Sequence, residues 1–266
     1  SGTSDRTVDP QRILYVDFVG KKLPKAYGIQ GPHTPYSGAT VMVVAGRYPD
    51  DDGTDPGVPT LWVGALRSRD ELEVKEFIQE AYYELGFGTD SAAGNAQRDE
   101  LWFVHSDRAP ELKGKEMRRF LVNKNGLPLR GASHRSTTHA REEALVKRAL
   151  RGLRVTLRAA CVGMKFWPHA ARTFAVNTNA RRCGHHLKRN SVPLRVFGHR
   201  GIAVFPRAVR DQRDVHNTVT ERVMFLSYVP ETSGGVYVLT QDGRVRDLLD
   251  RDVRDKDRRD VALADG

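Results

Sequence analysis

The chain has 266 residues, 43 of them Lys or Arg against 33 Asp or Glu, for a formal charge of +10 at pH 7 and a pI near 9.8. With 39% hydrophobic residues, it is too apolar for a disordered tail and long enough to bury one large core or two smaller ones. No apolar run approaches the roughly 18 residues of a membrane helix, so no membrane partner is expected. Its two cysteines, Cys161 and Cys183, exclude a disulfide framework and suit a reducing, intracellular compartment.

The N-terminus, Ser1-Gly2-Thr3-Ser4-Asp5-Arg6, carries neither the apolar stretch of a signal peptide nor an initiator Met, which points to a piece cut from a longer chain. Residues 12–19 read as a buried strand with one acid, Asp17, inside it. Gly38–Ala45 and Thr60–Leu66 read as two more strands, joined by a polar, acid-rich loop over 49–57. Arg69–Leu85 predicts an amphipathic helix, with Leu72, Phe77, Ala81 and Leu85 near one face. Glu100–His105 is a fourth strand that runs directly into Ser106-Asp107, and Glu111–Val122 a second helix. Gly126–Thr138 reads as a loop, and a long helix follows over about His139–Val162. This order predicts an α/β layer structure with a mixed sheet. After about residue 190 the pattern changes to short strands, Leu194–Phe197, Ile202–Phe205, Val223–Val229 and Val236–Leu239, which predict a small all-β unit. The charge-dense stretch Asp247–Asp260 reads as a fraying tail.

The basic balance favours a polyanionic partner, nucleic acid first, because Lys and Arg that neutralise phosphates release counterions. A basic surface kept for solubility is the alternative. The long helix bears on the choice. On a wheel of 100° per residue with Glu143 at zero, Lys147, Arg151, Arg154 and Arg158 fall within about 20–80°. Leu145, Val146, Ala149, Leu150, Leu153 and Leu157 fall between about 200° and 340°, with Glu142 at about 260° among them. Glu143 thus stands where the core face meets a cationic face; a solvated face with a Glu143–Lys147 ion pair is the plainer reading. Asp17 and Asp107 sit where strands should end, and an acid in a buried strand calls for a salt bridge or a metal ion. Three converging carboxylates make sense with Mg²⁺ or Mn²⁺, which take hard oxygen ligands and serve phosphoryl transfer. Cys183-Gly184-His185-His186 lacks zinc-ligand spacing and reads as a polar loop. Trp62, Trp102 and Trp167 lie in apolar contexts and read as core rather than base-stacking residues.

Thirty-five residues separate Asp107 from Glu143, the spacing of the second and third acids of retroviral and retrotransposon integrases. His105-Ser106-Asp107-Arg108-Ala109-Pro110-Glu111-Leu112 resembles the family's Ser-Asp-Asn-Gly-Gly-Glu-Phe segment, and His139-Ala140-Arg141-Glu142-Glu143 sits where the family has Asn-Gly-x-Ala-Glu. Lys165-Phe166-Trp167-Pro168-His169-Ala170-Ala171, Leu194-Arg195-Val196-Phe197-Gly198 and Glu221-Arg222-Val223-Met224-Phe225-Leu226-Ser227-Tyr228 are similar to successive motifs of the copia-type retrotransposon Pol polyprotein. The departures are Arg-Ala-Pro after Asp107, His139-Ala140 for Asn-Gly, and a long gap from Asp17 to Asp107 that points to extra residues within 26–59.

The resemblance implies an RNase H-like core, a five-stranded mixed sheet flanked by helices over 8–180. It further implies a basic linker over 181–192, a small all-β barrel-like module over 193–256 and a charged tail over 257–266. It implies DNA integration, with 3′-end processing and strand transfer dependent on Mg²⁺ or Mn²⁺ and no covalent enzyme intermediate. Asp17, Asp107 and Glu143 match the catalytic metal ligands, with Glu142 open as the alternative third acid. Lys147, Arg151, Arg154 and Arg158 would position DNA backbone with little sequence reading. The implied partners are double-stranded DNA, both element ends and target, and further copies of the chain. The implied setting is a virus-like particle or cytoplasm, then the nucleus. A DNA-binding remnant that no longer cuts, and a different RNase H-like nuclease such as a junction resolvase, are the competing readings.

Overall fold

The computed structural model describes residues 12–19, 23–27, 36–49, 58–88, 101–106, 110–129, 140–182, 194–204, 220–229 and 234–255. The chain forms two compact units, one of 1–23, 39–151 and 178–185, the other of 24–38, 152–177 and 186–266.

The first unit is built on a five-stranded mixed sheet. Its strands are β1 (Ile13–Phe18), β2 (Val41–Arg47), β3 (Thr60–Leu66), β4 (Trp102–His105) and β5 (Gly126–Leu129), in the order β3-β2-β1-β4-β5. β1, β2 and β3 form an antiparallel meander; β4 lies parallel to β1, and β5 parallel to β4. That is the RNase H-like sheet. The central strands are buried on both faces: Ile13 to Val16 and Val41 to Ala45 are each at most 8% exposed, which is why they read as continuous apolar runs.

Helices cover both faces of this sheet. On the face of Leu14 and Val16 lie α1 (Glu71–Glu84) and α2 (Lys115–Asn123). Asp70 caps α1 by accepting from the Glu73 N–H at 3.0 Å. Its buried stripe is Val74, Phe77, Ile78, Ala81 and Tyr82; Leu72, expected in that stripe, is 57% exposed. Gly64 gives α1 its close approach, since a Cβ there would stand 2.3 Å from the Phe77 ring. α2 starts at Lys115 rather than Glu111, after a tight turn over Pro110–Lys113. Its first amides donate to Glu71 Oε1, from Glu116 at 2.6 Å and Met117 at 3.1 Å, so α1 supplies the cap that Gly114 lacks. On the opposite face lies α3 (Ala140–Ala159), whose Leu145 meets the sheet over Gly46. The edge of β3 is closed by a side chain: the Asn179 amide accepts from the Leu61 N–H at 2.8 Å and donates to its carbonyl at 2.7 Å.

One expectation fails here. Gly126–Thr138 reads as a loop, yet Gly126–Leu129 forms β5. An edge strand bonds on one side only, so Pro128 is tolerated, and Gly126 lies flat beneath the Trp102 ring. Residues 130–139, and the acid-rich loop over 50–57, lie outside the described residues.

The second unit has an antiparallel sheet of β6 (Arg200–Val204), β7 (Thr220–Tyr228), β8 (Gly235–Thr240), β9 (Val245–Leu249) and β10 (Val253–Asp255), ordered β10-β6-β7-β8-β9. Residues 247–255 therefore correct the expectation of a fraying tail over Asp247–Asp260: Val245, Leu248 and Val253 are buried, and they draw 245–255 into the sheet despite its charge, while 256–260 lie outside the described residues. Leu194–Phe197 is not a strand. It is an irregular segment held by side chains. The Arg195 N–H donates to the Tyr228 hydroxyl at 2.7 Å, and the Arg195 guanidinium pairs with Asp250 at 2.5 Å.

A helix that the sequence reading lacks, α4 (Trp167–Arg182), packs within this unit through its first three turns. His169, Thr173 and Asn177 are four residues apart and share one face. They engage the Ser227 hydroxyl (2.7 Å), the Leu226 carbonyl (2.7 Å) and the Tyr228 hydroxyl (3.1 Å) of β7. A register shift between Phe225 and Ser227 marks the same stretch of β7. Burial, with Arg172 adding to it, pushes the His169 imidazole down to about 3, so it is a neutral core residue.

Candidate functional site

The first unit brings together β1, β4 and the start of α3. In the parallel pairing of β1 with β4, Tyr15 lies opposite His105. Both side chains belong to the face that α3 covers. Asp17 lies two residues further along β1, on that same face. It pairs with Val44 of β2 and is half-buried, and its Oδ1 accepts from the Phe18 N–H at 2.7 Å. Asp107 follows His105 by two residues in sequence and lies outside the described residues.

Polar contacts among the described residues fix the first turns of α3 to β1, β4 and the end of β2. Arg141 donates to the Tyr15 hydroxyl at 2.8 Å, and its carbonyl accepts from the Tyr48 hydroxyl at 3.0 Å. Glu142 Oε1 contacts His105 Nδ1, with the two residues 2% and 4% exposed. Nδ1 faces a carboxylate oxygen and so carries the proton. The second carboxylate oxygen, Glu142 Oε2, is buried with no hydrogen-bond partner among the described residues. The guanidinium of Arg141 also stands over the Tyr15 and Tyr48 rings, at 5.6 and 5.2 Å from their centroids. Burial pushes the Tyr48 phenol up to about 12, against the opposing charge of Arg141, so it serves as a donor.

Glu143 is placed differently. Its side chain is 61% exposed and pairs with Lys147, four residues on, at 3.0 Å. In a first helical turn such an acid also meets the positive end of the helix dipole. The cationic face is as the wheel predicts: Lys147, Arg151, Arg154 and Arg158 are all exposed, while Leu145, Ala149, Leu153 and Leu157 are buried. Lys147 and Arg151 belong to the first unit, Arg154 and Arg158 to the second. Trp62, Trp102 and Trp167 are each at most 2% exposed and offer no stacking face. The Cys183-to-His186 segment lies outside the described residues.

The carboxylate donors of Asp17 and Glu143 suit a hard divalent cation. The described residues contain no group of three His, Cys, Asp or Glu placed to hold one, and Asp107 is not among them. Sequence reasoning missed Tyr15, Tyr48, His105 and Arg141. The one available signal was the wheel position of Glu142, an acid in the middle of an apolar face.

No protein-family model matches the chain, and no curated protein matches it. Among solved structures it is similar to the catalytic core domain of BIV integrase, at 15% identity and a TM-score of 0.37, over 66% of this chain and 90% of that one. It is also similar to a chain of the simian T-cell lymphotropic virus intasome in complex with PP2A regulatory subunit B56 gamma. There the identity is 11% and the TM-score 0.40, over 92% of this chain and 78% of that one. Both likenesses are distant, and the assignment of the fold rests on the strand order itself.

Proposed function

We propose that the chain is a metal-dependent polynucleotidyl transferase of the integrase kind, which processes DNA 3′ ends and joins them to target DNA. The observation that carries this reading is the pairing of β1 with β4, Tyr15 opposite His105, with the first turn of α3 laid on both. In this arrangement β1 carries Asp17, the chain reaches Asp107 two residues after the end of β4, and the first turn of α3 carries Glu143. Asp17, Asp107 and Glu143 would hold Mg²⁺ or Mn²⁺. When bound, the ions supply Lewis-acid stabilisation of charge at the transferring phosphate. Lys147, Arg151, Arg154 and Arg158 would hold the phosphate backbone of double-stranded DNA without reading bases. The copia-type assignment rests on the sequence motifs, and assembly with further copies on the same resemblance.

A second reading is a DNA-binding protein that keeps the fold and the charge but does not cut. It is favoured by the Glu143–Lys147 ion pair, which gives this acid a role in the helix itself. Calorimetric titration of Mn²⁺ into the wild type and Asp107→Asn, with strand cutting assayed on the same samples, separates the two. Metal binding and cutting in the wild type, both lost in Asp107→Asn, support the transferase. DNA binding with neither metal uptake in the millimolar range nor cutting supports the second reading.

A further inference from the structure

We infer that the buried His105–Glu142 contact is the strut that sets the start of α3, and with it Glu143, against the end of β4. The functional consequence rests on the transferase reading; the structural one does not.

A buried carboxylate is costly unless paired, and here one oxygen meets His105 while the other has no partner among the described residues. The core of α3 does not need it. Leu145, Ala149, Leu153 and Leu157 already fill the buried stripe, and the family that the sequence resembles has Ala at the Glu142 position. Among the described residues, what retains the acid is its contact with His105. His105 is the last residue of β4, two before Asp107, and Glu142 is one before Glu143. The contact therefore joins the two segments whose spacing a shared metal site would require. Arg141 and Tyr48 fix the same turn to β1 and to the end of β2, but they reach it through a hydroxyl and a backbone carbonyl. The Glu142 side chain is what ties it to β4 among the described residues. His105 and Glu142 are positioning residues on this account, not ligands.

Glu142→Gln and Glu142→Met test it, because both keep the side chain's volume and only Gln keeps an acceptor for the His105 Nδ1–H. The first readout is hydrogen exchange at the amides of 141–147. The expected result is at least tenfold faster exchange there in Glu142→Met, with Glu142→Gln within threefold of the wild type. The second readout is Mn²⁺-dependent cutting of a duplex oligonucleotide, where Met should lower kcat at least tenfold with KM unchanged and Gln should leave both near the wild-type values. Wild-type exchange in Glu142→Met would overturn the strut. So would equal impairment of Gln and Met, which would make the carboxylate itself the requirement. A wild type that fails to cut overturns the transferase reading alone, and the exchange contrast still decides the strut.

Discussion

Replacing Gly46 by Ala tests the docking of α3 on the sheet, on which the whole site depends. A Cβ at Gly46 would stand 2.6 and 2.8 Å from the two δ-carbons of Leu145 and 3.1 Å from the Thr60 carbonyl oxygen. Leu145 is fully buried, so its methyls have no free space to enter. On strand propensity alone Gly→Ala would stabilise by about 0.5–1 kcal/mol. Overpacking a filled core costs about 1–3 kcal/mol, so the clash wins and Gly46→Ala should destabilise by about 1–2 kcal/mol. Leu145→Ala removes the clashing methyls and alone costs about 2–5 kcal/mol. In the double variant the new methyl enters the space that Leu145 vacates. The two changes should then be non-additive, with the double at least about 1 kcal/mol more stable than the sum of the singles. Urea unfolding of the four proteins gives the cycle. A stabilised Gly46→Ala, or strict additivity, would refute the placement of α3 over Gly46.

Three further outcomes follow from particular contacts. Asn179→Ala should cost about 2–3 kcal/mol in the same unfolding assay, because it leaves the Leu61 N–H and C=O unpaired at the edge of β3. Changing Lys147, Arg151, Arg154 and Arg158 together to Ala should weaken duplex binding and reduce the slope of log K against log salt by about 3–4, at ~0.9 per phosphate contact; an unchanged slope would mean the face is merely solvated. The His169 imidazole is held near 3 in the fold against an ordinary 6.5, so between those values the unfolded chain takes up a proton that the folded one refuses. Its contribution to stability is complete above pH 6.5 and is lost as pH falls towards 3, by at most ~1.4 kcal/mol per pH unit. His169→Gln should flatten the wild-type loss of stability between pH 6.5 and 4.5, and parallel curves would show that His169 is not buried neutral.

The parts of the fold that the sequence discloses are those in which burial alone decides the structure. β1, β2 and β3 are continuous apolar runs because both their faces are covered, and α3 shows its stripe because one face packs while the other carries exposed cations. The parts that escape are those decided by polar contacts made across the chain. α4 has no clean apolar stripe, since His169, Arg172, Thr173 and Asn179 are all buried in it. The partners of His169 and Thr173 lie on β7, 58 and 53 residues later. β5 escapes because Gly and Pro signal a turn, whereas an edge strand lying under Trp102 tolerates both. β9 and β10 escape because charge on their exposed positions hides the buried Val245, Leu248 and Val253.

The candidate site divides along the same line. Spacing and helical phase are local properties, and they placed Glu143 at the rim of a cationic face that the structure exposes as expected. They also placed Glu142 among apolar residues, where an acid has no local reason to be. That reason is His105, 37 positions away and reached only when β4 pairs with β1. A polar residue at the wrong phase of an amphipathic helix is a statement that a partner exists without a statement of where it is. Topology supplies the second half, because the strand that approaches the start of α3 is the one leading to Asp107. The acid that looks misplaced on the wheel is thus the one that ties two acid-bearing segments together, while the acid at the better phase is left at the surface with Lys147.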